Sequence, residues 1–309
     1  MRFLLSVDTE ADFWKYIQNP FYSFSKIYQI KWRLNKIRGK FIYAKNRQGL
    51  KNLVTFFKEN QIPATFNITG HLYLKSCNGW PHFNELKPKA KWFFKKNWYY
   101  WDPKSGYSEY PGLYLGDFIE KEMKNNPLFD LGIHGFAHEC WPLEESKIVD
   151  SGIRAAKNAA NKIGVSPVSC SSPFNITEDK SNPSVLYSAL RKNGFKIIRY
   201  TGLEDFPKKM THKFKVIPPF KRYGLTFVHV SSTFDGTSKP GRIKRILKDI
   251  EENANKRDKN AVYCLCCHDF TFKSLKNLKI ILNTVLKLKK KGKIELINMR
   301  DLLKNGNED

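Results

Sequence analysis

FDLGIHGFAHECW, Phe129 to Trp141, begins as a short apolar run and ends with two histidines, His134 and His138, four residues apart. The run suits one buried strand and is too short for a helix. The residues behind it decide the fold. Polar, reactive side chains crowd just past the strand, and the same arrangement recurs along the chain.

Strand-like runs appear at "RFLLSVD" (2–8), "ATFNITG" (64–70), "PVSCSSP" (167–173), "FKIIRYTG" (195–202), "TFVHVSS" (226–232) and "AVYCLCCHD" (261–269). Helical patterns at about 47–60, 143–163 and 182–193 separate them, and helix-like segments trail the last two strands. Strand and helix in repetition imply parallel pairing with right-handed crossovers. About seven such units in one α/β domain favour a closed (β/α) barrel over an open sheet. Asp8, Glu10, Asn67, His134, His138, Ser171, Ser172, Arg199, His268 and Asp269 then all fall at strand ends, on the rim where such barrels place their sites.

Histidines at i and i+4 on a helical turn would share a face and reach one divalent ion. The set needs an anionic third ligand, and the first strand ends "SVDTEAD", offering Asp8, Glu10 and Asp12. Two histidines and a carboxylate leave positions open for water, and a spare carboxylate can serve as general base. Asp8 and His268 are expected to face each other across the rim. His71 is a candidate to line the cleft, whereas His82, His212 and His229 read as structural.

Together the acidic first strand, "ATFNITG", "HGFAH", the proline-bearing fourth strand and a late strand ending in histidine resemble the polysaccharide deacetylase family, carbohydrate esterase family 4 with its NodB-homology fold. The resemblance spans roughly residues 2–303 and implies a deformed barrel that hydrolyses N-acyl or O-acyl groups on sugars. It further implies Asp8 as general base, His134 and His138 as metal ligands, and His268 as general acid. Pro173 and Phe174 would line the substrate groove, as would Arg199. The implied cofactor is one divalent ion, Zn2+ by its mixed histidine and carboxylate ligands, with Co2+, Ni2+ or Mn2+ compatible. Two positions depart from the pattern. Thr9 stands where the family has a second aspartate, so Glu10 takes the ligand role, with Asp12 as the alternative. Ser171 stands where an arginine holds the base, and Arg199 on the following strand is the candidate to replace it from another direction.

Net charge is +25, from 54 Lys+Arg against 29 Asp+Glu. Such a field attracts polyanions. The aromatic-basic stretches, at about 13–45 and 71–113, read as insertions on a single domain covering 1–309. "KWFFKKNWYYW" suits an anionic membrane surface, with Trp92, Phe93, Trp98 and Tyr99 as docking residues. The resemblance implies an acylated sugar or glycan as partner, and the insertions suggest a lipid-linked one. The insertions also resemble in kind that of the undecaprenyl-phosphate aminoarabinose deformylases. "MRFLLSVDTE" is too short for a secretory core, no apolar run spans a bilayer, and six cysteines form neither a disulfide framework nor CxxC zinc spacing. The expected location is cytoplasmic, peripheral at the inner membrane face. The rival readings are a nucleic-acid-binding protein, which leaves the strand-end residues unexplained, and a non-catalytic glycan-binding barrel, motivated by Ser171. No specific nucleic acid partner is expected.

Overall fold

A computed structural model of the chain describes residues 1–11, 26–27, 30, 34, 46–89, 97–175, 184–204, 211–234, 240–256, 258–269 and 275–304. Asp12, Trp92, Phe93 and most of the 13–45 insertion lie outside these residues.

Seven parallel strands close into a barrel. They are β1 (Arg2–Thr9), β2 (Ala64–Ile68), β3 (Phe129–Ile133), β4 (Ser169–Ser171), β5 (Ile197–Tyr200), β6 (Leu225–Phe234) and β7 (Val262–His268). Each pairs with the next, and β7 returns to β1 along its whole length, from Arg2↔Val262 to Asp8↔His268. Helices α1 (Asn46–Glu59), α2 (Ser146–Lys162), α3 (Ser184–Lys192), α4 (Pro240–Asn255) and α5 (Leu275–Lys290) follow strands as the periodicity implies. On α1 the helical spacing of Leu50, Leu53, Val54 and Phe57 makes one apolar stripe, and all four are buried. Among the described residues no helix is long and apolar enough to cross a membrane.

Two seams deform the barrel. β4 has three residues and meets β3 only through Ile133↔Cys170. Pro167 and Pro173 bracket it, and proline cannot donate to a ladder. On the far edge of β1, β2 pairs with Ser6–Thr9 while a late strand, Glu295–Ile297, pairs with Arg2–Leu4 and fills the lower gap. The sequence pattern does not announce this strand, nor the antiparallel Phe220–Arg222 on β6, nor the short pair Gly202–Glu204 with Thr211–Lys213. Runs of three residues carry too little periodicity to be seen.

Alternation along each strand sorts the interior into layers. Leu4, Ile197, Val228, Val262, Cys264 and Ile297 form an apolar plug at the bottom. Above it Ser6, Asn67 and Arg199 make a buried polar layer joined by hydrogen bonds, with Ser6 Oγ 2.9 Å from Asn67 Nδ2 and 2.8 Å from an Arg199 nitrogen. Asp8 and His268 stand at the top. The opposite faces, Phe3, Leu5 and Val7 among them, pack against the helices in a second and larger core. One close approach sets the upper rim. A Cβ on Gly70 would lie 2.7 Å from the Cα of Ala156, so only glycine lets α2 press on the turn after β2.

The described part of the 71–113 insertion is folded onto the barrel. Trp98, Tyr99 and Trp101 are 4–6% exposed. The expectation that Trp98 and Tyr99 dock on a bilayer is therefore wrong, because their rings are already buried in the core. The even spread of aromatic and basic letters along this stretch conceals which face each takes.

Candidate active site

His134 and His138 do not share a helical turn. Past β3 the chain runs as a loop, with Gly135 at φ +69° and His138 at φ +55°. Its backbone stays tied to the β2 exit, where His134 N–H donates to the Ile68 carbonyl at 2.9 Å and Gly70 N–H to Gly135 at 2.8 Å. Glu139, buried, accepts from the N–H groups of Phe136 and Ala137 and from the Trp141 indole, which folds the loop back on itself. The result resembles the expected helical face in effect, since the ring centroids lie 4.9 Å apart. A non-glycine residue at positive φ is strained, and such strain collects at functional sites. Phe174, also left-handed at φ +60°, sets its ring edge-on to His138 at 4.6 Å, while Pro173 beside it is buried.

The structure brings the strand-end residues together around Glu10. Its Oε1 lies 3.1 Å from His138 Nε2, 3.5 Å from His134 Nε2 and 3.7 Å from His268 Nε2. Asp269, placed on the rim by the sequence pattern but given no specific role there, accepts the Glu10 and Ala11 N–H groups at 3.1 and 2.9 Å and so aims the carboxylate. Burial alone would raise the Glu10 carboxyl, but His138 and His134 hold it well below its usual range. His268 is the more open member, its side chain 28% exposed against 1–3% for His134 and His138.

Asp8 lies beneath this group and is the register partner of His268 on β7. The two are therefore side by side on neighbouring strands, and the expectation of a face-to-face pair across the rim is corrected. β7 follows β6 in sequence but closes the barrel against β1. Arg199 grips Asp8 with both nitrogens, 2.7 Å to Oδ1 and 2.8 Å to Oδ2, and also donates to Asn175 Oδ1. It is 1% exposed, so it cannot line a substrate groove as expected. It reaches Asp8 because Ser171 and Arg199 are register partners on β4 and β5, which brings the guanidinium in from one strand further on. Burial raises the Asp8 carboxyl, yet Arg199 and His134 outweigh it and hold it at about 2. Ser171 does a second job. Its carbonyl accepts from His134 Nδ1 at 3.1 Å, and its hydroxyl donates to Asp8 Oδ1 at the same distance. A carbonyl only accepts, so Nδ1 carries the proton and the Nε2 lone pair faces Glu10.

The donor set fits a divalent cation. Two imidazole nitrogens and a carboxylate oxygen converge on one place, and the ligand atoms of Glu10, His134 and His138 all lie within 4.8 Å of one another. Such an arrangement needs a proton or a cation between its members, and three protein ligands leave room for more.

No family model and no curated protein sequence matches the chain. Among solved structures it is similar to a candidate polysaccharide deacetylase from Mycobacterium smegmatis, with a TM-score of 0.60 at 14% identity over 98% of this chain and 88% of that one. It is also similar to the 4-alpha-glucanotransferase from Thermococcus litoralis, with a TM-score of 0.56 at 12% identity over 99% of this chain and 40% of that one. These likenesses carry the fold, the deformed NodB-like barrel seen in the strand order.

Proposed function

We propose that this chain, with the fold of the polysaccharide deacetylases, is a metal-dependent hydrolase removing an N-acyl group, acetyl or formyl, from a sugar. What carries the reading is the meeting of Glu10 with three histidines directly above an ionised, arginine-held Asp8. Glu10, His134 and His138 would hold the ion, which we take as Zn2+ from its mixed nitrogen and oxygen donors. Asp8 takes the proton of the attacking water, and His268 gives one to the departing amine. A carboxylate held at about 2 is a weak base, so the water must be made acidic, which is the chemistry a bound divalent ion supplies. Phe174 and Pro173 form the wall beside His138 against which a sugar ring would lie. Arg199 supplies the guanidinium whose lack at Ser171 motivates a non-catalytic barrel, and that reading loses its support.

The test is metal analysis of the purified chain together with acetate and formate release from a panel of N-acylated and O-acylated sugars. His134→Ala should lose the site's ion and turnover while keeping the fold. Full metal content in that variant, or no release from any member of the panel by loaded protein, would sink the proposal.

His268 has a separate signature. An amine leaving group needs protonation far more than a phenolate does. His268→Ala should therefore lose turnover on an N-acyl sugar by about 10²-fold or more and much less on an activated acetyl ester. Equal losses on both would remove its role as acid.

A further inference from the structure

Behind the loop that carries His134 and His138 lies a second group of ligating side chains. His71 comes just after β2, and Cys77, His82 and Asp102 come from the insertion packed on it. Their ligand atoms also lie within 4.8 Å of one another. With Oδ2 as the ligand atom of Asp102, His71 Nε2 is 3.6 Å from Cys77 Sγ, Cys77 Sγ is 3.5 Å from Asp102 Oδ2, and His82 Nε2 is 3.0 Å from the same oxygen. A zinc tetrahedron with bonds of about 2.0–2.3 Å has edges of roughly 3.3–3.6 Å. Two of the observed separations match those edges and the third falls just below them.

The outer nitrogens of both rings are anchored in the way metal-bound histidines are. His71 Nδ1 lies 3.0 Å from the Leu113 carbonyl, and His82 Nδ1 lies 2.6 Å from Glu85 Oε1. Each partner is an acceptor, so Nδ1 bears the proton in both rings and Nε2 is turned into the cluster. The side chains of His82, Glu85 and Asp102 are 0–2% exposed, and His71 is buried completely. Trp101 stands edge-on to His71 at 4.9 Å, and Tyr99 packs on His82 at 5.4 Å. Four protein ligands, with aromatic rings packed on both histidines, describe a structural site with no open position for substrate.

We infer that His71, Cys77, His82 and Asp102 bind a zinc-like divalent cation that pins the 71–113 insertion to the barrel. On this inference His82, read from the sequence as structural, and Cys77, which lies in no CxxC spacing, become metal ligands. The irregular spacing of 71, 77, 82 and 102 hides the set in the sequence. The ion also bears on the active site. The rings of His71 and His82 pack on Phe136 at 6.1 and 5.0 Å, and Phe136 lies between the two histidines of the HGFAH loop.

The two metal sites differ in one spectroscopic respect. Glu10, His134 and His138 include no sulfur, whereas this one includes a thiolate. The full chain loaded with cobalt(II) should hold roughly two ions and show a thiolate-to-cobalt charge-transfer band in the near ultraviolet. Cys77→Ser should lose that band and one ion. His134→Ala should lose the other ion and keep the band. The wild-type spectrum needs no variant to fold and is decisive by itself: cobalt protein without the band overturns the site. A band that survives Cys77→Ser overturns it too, as does a wild-type stoichiometry that Cys77→Ser leaves unchanged. A polar cluster held only by hydrogen bonds, with His82 protonated between Glu85 and Asp102, would give one of these overturning results. Because the readout is the band, failure of the proposed hydrolase activity leaves this test intact.

Discussion

Asp8→Asn is expected to lower turnover on an N-acyl sugar by about 10²–10⁴-fold, the range of a single general base, while one ion stays bound at Glu10, His134 and His138. The carboxamide cannot take the water's proton, and Asp8 is not a member of the ligand group. The substitution also removes the counter-charge of Arg199, which is buried beneath it. Kinetics must therefore be read at a temperature where the variant's near-ultraviolet circular dichroism matches wild type. Loss of the ion, or turnover within a few-fold of wild type, would show that Asp8 is not the base. The acid side of the rate profile offers a check. Because Arg199 and His134 hold the carboxyl at about 2 against burial, Asp8 stays ionised through any ordinary assay pH. An acid limb above about pH 4, near the reference aspartate value, must then come from another group.

Arg199→Met should destabilise the protein by about 3–5 kcal/mol, since truncating one member of a buried ion pair leaves the other charge without compensation. For a chain of this size that is a fall in thermal midpoint on the order of 10 °C. The guanidinium has no solvent to share its role, being 1% exposed and bound to Ser6, Asp8 and Asn175. Burial that now goes unopposed by Arg199 should raise the Asp8 carboxyl, so that protonation of Asp8 itself reduces activity at a higher pH than in wild type. A depressed carboxyl contributes stability that is present above its unfolded value and lost as pH falls towards 2. Arg199→Met should therefore lose less stability on acidification than wild type. The double variant Asp8→Asn with Arg199→Met separates the two roles. It should recover part of the stability lost by either single variant and none of the activity. Simple additivity in unfolding free energy would mean that the two side chains do not act as a pair.

Much of this protein is legible along its sequence. Strand runs, helical stripes and polar residues behind each strand are local patterns, and in a parallel barrel the direction of the strands is enough to gather their ends at one rim. That is why Asp8, Glu10, His134, His138 and His268 stand out without any geometry. What the letters could not hold is the relation between residues far apart. Asp8 and Arg199 are 191 residues apart, and they meet because β4 and β5 pair with Ser171 beside Arg199. Register also decided that Asp8 and His268 are neighbours on adjoining strands. The path of the loop, through a left-handed His138, brought two imidazoles together without a helix. Packing of the insertion turned Trp98 and Tyr99 inward and drew His71, Cys77, His82 and Asp102 to one point. Periodicity is a property of neighbours in sequence; register, loop path and docking are properties of the closed barrel, and only the tertiary structure could decide them.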